Sequence, residues 1–591
     1  TITQYEALAA ASGEAALRGG YDEEELEVLD EFCRHGRAVR EERARAAREG
    51  GPPDFISLVR AWGGVTIAYR KRLVDSPAYR LNHEEVIKAL EEGIGFAENL
   101  NPIEAVPDAH GAVMAMIFGR EGQAGQVGQV GQVGLAVTLP ARTVLVAAGT
   151  TPNTTYEKEA PKTFQLDAKG KFFQPHSVVR AGAEGFGLAP DPEGFFTSYE
   201  AGGRFITYYG DNHPRFAGTV VKAMASAKHG FPAVVALFAR ELGALDPSKQ
   251  PERDRAWRGF AARLDDDLTA RVSRVVRLTP TIVEVIVRAP AAARHFQPGQ
   301  FYRLQNFESL APRAGRVPLL MEGIALTGAW VDKERGLLSL IALELGVSSR
   351  LCAYLKRDEP VIVMGPTGTP TEIPSNENVL LLGGGLGNAV LFSIAKAMRE
   401  NGNRVIYFAA YKKGEDLFKR EDIEAATDQV IWSTQKGEAI APRRPRDAHF
   451  RGNIVQAMIA YQAGQLGAPL VPLSAVDRII TVGSDRMMSA VKEARHGALA
   501  PYLKPDHVGI ASINSPMQCM MKEVCAQCLQ RHVDPATGKE TIIFSCFNQD
   551  QDMDRVDFPN LAARLRQNTV QEKLSHLWFE RLAGGIDLPR V

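Results

Sequence analysis

Residues 376–400, NENVLLLGGGLGNAVLFSIAKAMRE, join an apolar run, a glycine turn and a helical pattern. This order predicts a β-strand, a tight turn and an α-helix whose first backbone amides could bind a pyrophosphate. The glycine turn is a weak signal by itself, because GGGLGN is not the GxGxxG fingerprint and such turns often follow buried strands. The segments on either side therefore decide the interpretation.

Those neighbouring segments predict an α/β sheet preceded by a small barrel. Downstream, residues 404–418 and 477–494 repeat the rhythm of strand followed by helix, which is typical of a parallel sheet. Upstream, residues 267–370 alternate short β-rich segments with turn signals, as in RVSRVVRLTPTIVEVIVRAP and FQPGQFYRLQNF. That alternation suits an antiparallel barrel.

Four of the six cysteines lie together after the predicted sheet, as Cys519, Cys525, Cys528 and Cys546. Their spacing, C-x5-C-x2-C-x17-C, is close to the C-x4-C-x2-C…C arrangement that holds a [2Fe–2S] cluster. A structural zinc site also uses four thiolates, but it usually has two C-x2-C pairs and only one is present here. A chance grouping of reduced thiols is the third alternative.

Composition is that of an ordinary soluble protein. The 591 residues exceed what one core supports, so several domains are expected. With 69 basic and 70 acidic residues, the chain carries no charge signature for nucleic acid or an anionic membrane. The absence of a long apolar run predicts no membrane span, and we expect a cytoplasmic protein.

A basic segment follows a predicted strand near the N-terminus. Residues 65–69 predict the strand, the next residues are Arg70, Lys71 and Arg72, and a helix is expected from about Asn82. At the end of such a strand in a dinucleotide fold, arginines accommodate the 2′-phosphate of NADP. The alternative is a solvated run of charges.

The order of barrel, nucleotide domain and cysteines resembles the ferredoxin–NADP reductase superfamily. From about 266 to 560 the chain is similar to the electron-transfer subunit of dihydroorotate dehydrogenase and to the small subunit of NADH-dependent reduced ferredoxin:NADP oxidoreductase. The resemblance implies FAD on the barrel, NAD(P) on the glycine loop and an iron–sulfur cluster on the cysteines. The residues that it implies for the two nucleotides are Pro298, Gly299, Gln300, Phe301, Thr327, Gly365, Gly368, Gly383, Gly384, Gly385, Gly387, Gly483, Asp485 and Met487.

Two features depart from that family. Where the family has an arginine-containing element for the flavin, this chain reads MEGIALTG, with Glu322 and Gly323 where a cation is expected. FAD binding is therefore expected in altered form. The first cysteine gap is five residues instead of four.

The N-terminal part resembles a different family, the small subunit of NADPH-dependent glutamate synthase. The segment ARTVLVAAGTTPNT carries Gly149 of an A-x-G-x-x-P-N element. A second segment carries Gly210 and Asp211, which would meet the flavin ribityl, and a helix start at Thr219 and Val220 whose positive end would face the flavin ring. The family's first GxGxxG element does not occur. We therefore expect an upstream segment or a partner chain to complete this FAD site.

These interpretations predict a multidomain α/β plus β-barrel protein: a partial two-dinucleotide-binding-domain flavoprotein fold, an FAD-binding antiparallel barrel, a parallel α/β nucleotide domain and a small four-cysteine iron–sulfur domain. The expected divisions are 1–155 for a partial NAD(P)-binding half with an N-terminal helical stretch, 156–245 for the end of the FAD domain, 246–265 for a linker, 266–375 for the barrel, 376–510 for the NAD(P) domain, 511–560 for the cluster and 561–591 for a C-terminal helix.

The predicted function is that of an electron-transfer oxidoreductase within a multi-subunit complex. Hydride transfer moves two electrons together and an iron–sulfur cluster takes one, so a flavin is expected between them. Electrons would pass between NAD(P)H and a protein partner, either ferredoxin or a catalytic subunit like that of glutamate synthase. The two resembled families also form the halves of an electron-bifurcating transhydrogenase, but sequence does not set the potentials that bifurcation needs. The alternative from another class is a non-catalytic, redox-regulated scaffold with a four-cysteine zinc site.

Overall fold

The computed structural model describes residues 1–120, 136–147, 149, 151–181, 185–513 and 522–584. They form two compact units, one mainly Asp22–Pro251 and the other mainly Thr3–Tyr21 together with Glu252–Val591. The chain begins with helices α1 (Ile2–Ser12) and α2 (Glu14–Arg18). No helix within the described ranges combines the length and the apolar character that crossing a membrane requires.

The first unit carries three small sheets and seven helices among its described residues. A parallel pair joins β1 and β2, an antiparallel sheet has the order β3-β4-β5, and a second has the order β7-β6-β8-β9. The helices are α3 (Glu23–Glu49), α4 (Phe55–Ala61), α5 (Pro77–Leu81), α6 (His83–Glu91), α7 (Thr155–Glu159), α8 (Val220–Leu237) and α9 (Ala239–Gly243). The strands are β1 (Thr66–Tyr69), β2 (Gly95–Glu98), β3 (Leu100–Pro107), β4 (Val113–Arg120), β5 (Ala136–Pro140), β6 (His176–Ala181), β7 (Gly185–Pro190), β8 (Phe196–Ala201) and β9 (Arg204–Thr207).

Local sequence signals explain where the elements of this unit begin. Asp22 starts α3 with a capping box, in which its carboxylate accepts the Glu25 amide and the Glu25 carboxylate accepts the Asp22 amide. The predicted strand at 65–69 is β1, and Asn82 is the N-cap of α6, as the sequence indicated. Strand, helix and parallel strand thus follow one another from β1 to β2.

The second unit contains a closed barrel with the strand order β10-β11-β16-β15-β12-β17. All neighbouring strands in it are antiparallel, as the alternating pattern predicted. Its core is apolar, with Val285, Tyr302 and Leu340 fully buried. The elements of this region are α10 (Gln250–Leu268), β10 (Ala270–Thr279), β11 (Ile282–Arg288), α11 (Pro290–Arg294), β12 (Phe301–Asn306), β13 (Arg313–Ala314), β14 (Val317–Pro318), β15 (Ile324–Asp332), β16 (Leu337–Leu343), α12 (Val347–Leu351) and β17 (Pro360–Thr367).

A seven-stranded sheet follows the barrel, with the order β21-β20-β19-β18-β22-β23-β26. All pairs are parallel except that of β23 with β26, so the sheet is mixed. The run 376–400 forms β18, a 3-10 turn and α13, as predicted. The elements are β18 (Asn378–Gly384), α13 (Asn388–Glu400), β19 (Arg404–Lys413), α14 (Arg420–Ala425), β20 (Gln429–Lys436), β21 (Ala448–Arg451), α15 (Ile454–Gln462), β22 (Arg478–Val482), α16 (Asp485–His496), β23 (Val508–Ser512), β24 (Leu529–Val533), β25 (Glu540–Phe544), β26 (Asp550–Asp552), α17 (Phe558–Leu565) and α18 (Thr569–Gly584).

The C-terminal helix packs on the barrel. Phe579 of α18 is buried in the barrel core cluster, where its ring meets Tyr354 edge-on. On the same helix, Lys573 donates to the Gly20 carbonyl at 3.1 Å, so α18 also contacts the chain just after α2.

The segment 246–265, interpreted above as a linker, is mostly helical. A 3-10 turn covers Pro247–Lys249, and α10 begins at Gln250. Its charged composition suggested a solvated connection, but Pro251 at the first turn and the Ala, Arg, Glu and Leu residues that follow favour a helix. The helix has no buried residue, which is why its sequence is so polar.

Candidate active site

Two of the predicted metal-ligating cysteines lie side by side in the second unit. The backbone amide of Cys546 donates to Cys528 Sγ at 3.3 Å, and both side chains are buried. The hairpin β24–β25 lies between them in sequence and brings them together. The hydrogen bond to Cys546 and then burial raise the pKa of the Cys528 thiol. A bound metal ion would reverse this effect, because it deprotonates its thiol ligands.

Cys525, the third member of the cysteine group that the structure describes, is half-buried on the loop that leads to Cys528. Lys522, Glu523 and Ala526 on this loop have positive φ angles of 52°, 62° and 54°. Left-handed backbone is costly for residues other than glycine, and it is often found where a loop presents groups to a ligand. The fourth predicted ligand, Cys519, lies outside the described residues.

The cysteine pair contacts the barrel at Phe301, within the Pro298–Phe301 segment that the sequence predicts to bind flavin. Cys528, Cys546 and Phe301 form one buried cluster, and Phe301 is the first residue of β12. The chain after Cys546 is held on the same side of the barrel. Gln549 donates through Nε2 to the Gly299 carbonyl at 3.1 Å, and Thr371 donates through Oγ1 to Asp550 Oδ2 at 2.6 Å. The cysteine segment therefore lies beside the Pro298–Phe301 motif.

The two barrel motifs also meet each other. Gln300 Nε2 donates to the Gly368 carbonyl at 2.9 Å, and a Cβ on Gly368 would come within 3.1 Å of the Phe301 ring. Thr327 on β15 is the register partner of Phe301. Gly365 has a φ of 127° at the bend of β17. The barrel residues that the sequence singled out thus surround one outer face formed by β12, β15 and β17.

The glycine loop at 383–387 packs against the segment 483–487, at the carboxyl ends of β18 and β22. A Cβ on Gly384 would lie 2.3 Å from Met487 Sδ, and one on Gly387 would lie 2.3 Å from the Val482 carbonyl oxygen. Asp485 is the first residue of α16. From β18 the sheet continues to β19, β20 and β21 on one side, and from β22 it continues to β23 on the other. The chain therefore reverses direction across the sheet between β18 and β22. Open α/β sheets bind ligands at such a topological switch point. Gly383 lies near the end of β18, Gly385 begins the 3-10 turn that follows it, and Gly483 directly follows β22.

In the first unit, the structure brings together two of the predicted N-terminal elements. Asn153 donates its backbone amide to Asn212 Oδ1 at 2.9 Å, which joins the segment after Gly149 to the 3-10 turn of Gly210 and Asp211. The Gly210 amide donates to Ser226 on α8 at 2.8 Å. Thr219 caps that helix by accepting the Lys222 amide, and Val220 at its first turn is exposed.

The basic segment after β1 is exposed. Arg70 directly follows the strand, and Arg72 pairs with Asp75 at 2.9 Å. The Arg72 side chain is thus held near its own loop in this structure, while that of Arg70 is exposed to solvent.

The sequence did not indicate Arg303, Thr371, Gln549 or Asp550. Gln549 and Asp550 could have been noticed because they closely follow Cys546, with Asp550 as the first residue of β26. Arg303 lies two residues beyond Phe301, and strand alternation places both on the same outer face.

No protein-family model matches this chain. The uncharacterized protein RP006 of Rickettsia prowazekii is 29% identical over 554 residues, 94% of this chain, and the chain spans 61% of that protein's length. The dihydroorotate dehydrogenase B (NAD(+)) electron transfer subunit homolog of Thermotoga maritima is 26% identical over 318 residues, 53% of this chain and 96% of that protein.

Solved structures also match. The NADH-dependent reduced ferredoxin–NADP oxidoreductase matches with 23% identity and a TM-score of 0.42, over 53% of this chain and 98% of that one. The ferredoxin reductase of carbazole 1,9a-dioxygenase matches with 21% identity and a TM-score of 0.31, over 40% of this chain and 67% of that one.

The barrel and the mixed sheet together form a ferredoxin reductase-like fold. Over 53% of its length, the chain is homologous to the electron transfer subunit homolog of dihydroorotate dehydrogenase B. The resemblance of the first 245 residues to the glutamate synthase small subunit stays a prediction.

Proposed function

We propose that this protein is an NAD(P)H-dependent oxidoreductase that uses FAD on the barrel and a [2Fe–2S] cluster on Cys519, Cys525, Cys528 and Cys546. The observation that carries the proposal is the burial of Cys528 and Cys546 against Phe301. When bound, FAD takes two electrons as hydride and gives them up singly, which a cluster requires. Thiolates beside a flavin-binding strand are therefore well placed for electron transfer.

The residues around these groups suit them chemically. Soft thiolates on a hairpin and a strained loop match the ligand set of an iron–sulfur cluster. The outer face of β12, β15 and β17 is lined by Phe301, Thr327 and Arg303, which could hold a flavin ring and its polar tail. The turns at Gly383–Gly387 and Gly483–Met487 offer close backbone approach to a nicotinamide dinucleotide.

For the first unit, we propose that Arg70 and Arg72 bind the 2′-phosphate of NADP. Gly149, Gly210, Asp211, Thr219 and Val220 would belong to a second flavin site. We propose ferredoxin or a glutamate-synthase-like catalytic subunit as the electron partner.

The test is the content of iron, acid-labile sulfide, zinc and FAD per chain, measured on protein purified without oxygen. The proposal expects about two irons, about two sulfides and at least one FAD. Zinc without flavin would overturn it in favour of the scaffold alternative. Flavin without iron would overturn the cluster and leave only a flavin reductase.

A further inference from the structure

Arg303 projects from the outer face of the barrel that β12, β15 and β17 form, where the proposed function places the flavin. On β12, Tyr302 and Leu304 point into the barrel core and are fully buried. Side chains alternate along a strand, so Arg303 shares the outer face with Phe301, which contacts the cysteines. Its neighbours across the ladder are Ala325 on β15 and Met364 on β17.

A glycine on the neighbouring segment makes room for this arginine. A Cβ on Gly323 would lie 1.9 Å from Arg303 Nε and 2.2 Å from Cζ. The guanidinium therefore lies directly against the Gly323 backbone, just before β15 begins at Ile324. Any larger residue at 323 would push the guanidinium off this position.

The charge of Arg303 lacks an anionic partner among the described residues. Its Nη1 lies 3.4 Å from Met364 Sδ, a weak acceptor, and its Nε is buried without a hydrogen bond. A partly buried cation without an anion is costly, because it has lost water and gained no counter-charge. A ligand with anionic oxygens would neutralise the charge and accept hydrogen bonds from the N–H groups of the guanidinium.

The nearby acidic residues do not fill this role. Glu322 is exposed, and its backbone amide donates to Ser348 Oγ at 3.0 Å. Burial, followed by the negative charge of Glu322, raises the pKa of Glu572 on α18. Among the described residues, Glu322 forms no ion pair with Arg303.

We infer that Arg303 binds a phosphate of the flavin nucleotide and supplies, from β12, the positive charge expected at 322–323. Gly323 is also required, because its lack of a side chain leaves the space that the Arg303 guanidinium occupies. Arginine suits a phosphate because its planar donors can bind two oxygens together. The inference rests on the proposed function, since it presumes flavin on this face.

The experiment compares R303A, R303K and G323A with wild type, with R335A as control. Arg335 lies on the barrel hairpin and is 79% exposed, with Asp332 at 3.8 Å. Flavin is removed from each purified holoprotein, and the dissociation constants of FAD, FMN and riboflavin are measured by titration. Circular dichroism checks that each variant is folded.

Loss of one charged hydrogen-bonding group should weaken FAD and FMN binding to R303A about tenfold to a hundredfold. Riboflavin, which has no phosphate, should bind R303A as it binds wild type. R303K should have an FAD affinity between those of R303A and wild type, because lysine keeps the charge but cannot donate two parallel hydrogen bonds. G323A should weaken FAD binding without any change of charge.

Two results would overturn the inference while leaving the proposed function intact: R303A that binds FAD like wild type, or an equal loss for riboflavin. Wild type that binds no flavin at all would instead overturn the proposed function. If R303A does not fold, R303K and G323A decide the question by the same measurements.

Discussion

At the scale of single residues, Cys525 is the most direct probe of the cluster, because it is half-buried and its replacement disturbs little packing. We expect C525S to lose most of its iron and the cluster absorbance while keeping FAD. Ultraviolet–visible spectra and iron assays on anaerobic protein check this. The control is C33A, which alters a buried cysteine of the other unit and should keep both groups. A complete cluster spectrum in C525S would refute the ligand assignment.

Asp550 gives a second residue-scale prediction, through pH. Burial raises the pKa of this carboxyl above 3.8, against smaller opposing effects of Ser512, Thr371 and Arg478. The folded state therefore holds the proton more tightly than the unfolded state. The resulting stabilisation is complete below about pH 3.8 and is lost as pH rises through the folded pKa.

D550N stays uncharged at every pH and can still accept the Thr371 hydroxyl. We expect its melting temperature to exceed that of wild type by about 2 °C near neutral pH, with the difference vanishing near pH 4. Differential scanning fluorimetry across this pH range measures the difference. D552N on the same strand, where the side chain is exposed, should follow wild type throughout. A gap between D550N and wild type that grows toward acid pH would contradict the argument.

At the scale of elements, the turn between β18 and α13 tests the proposed nucleotide site. In G387A the new Cβ would meet the Val482 carbonyl oxygen at 2.3 Å and its carbon at 2.7 Å. Both are backbone atoms of the neighbouring strand, so the whole turn must move. We expect NAD(P)H to bind about tenfold more weakly, with FAD and iron unchanged.

Titration of flavin reduction by NADH and by NADPH measures this loss. The matched control is G259A on α10, where a Cβ meets nothing within 4 Å. Unchanged nucleotide affinity in G387A would separate this turn from the nucleotide site.

At the scale of the whole molecule, a buried ion pair joins the barrel to the mixed sheet. Glu284 on β11 is 1% exposed, accepts hydrogen bonds from Trp330 at 2.9 Å and Ser339 at 2.6 Å, and pairs with Lys419 at 2.9 Å. Lys419 immediately precedes α14, at a φ of 50°. The contact thus fixes how the proposed flavin face and the nucleotide turns sit together.

We expect K419M to lose about 3 kcal/mol of stability, because Glu284 is left as a buried charge without a cation. The double variant E284Q/K419M removes the orphaned charge and should recover most of that loss. Thermal and urea unfolding of both variants measure the difference. Equal stability of K419M and wild type would mean that the pair contributes nothing to holding the two parts together.

Much of the fold was predictable because its signals are local. The apolar run, glycines and helical pattern at 376–400 predict strand, turn and helix from neighbouring residues alone. The same holds for the strand before Arg70, the start of α6 at Asn82 and the antiparallel alternation of the barrel. The helical character of 250–268 was missed, because a helix with no buried face has the composition of a linker.

The order of residues along the chain is enough to show which residue types are available: cysteines at the spacing of metal ligands, glycine turns after strands, and an acidic residue where a cation was expected. Which of these residues meet depends on the folded structure. The contact of Phe301 with Cys528, the space that Gly323 leaves for Arg303 and the bond between Thr371 and Asp550 each join distant segments. Such contacts depend on strand register and barrel closure, which arise from packing over the whole unit and leave no periodic trace in the chain.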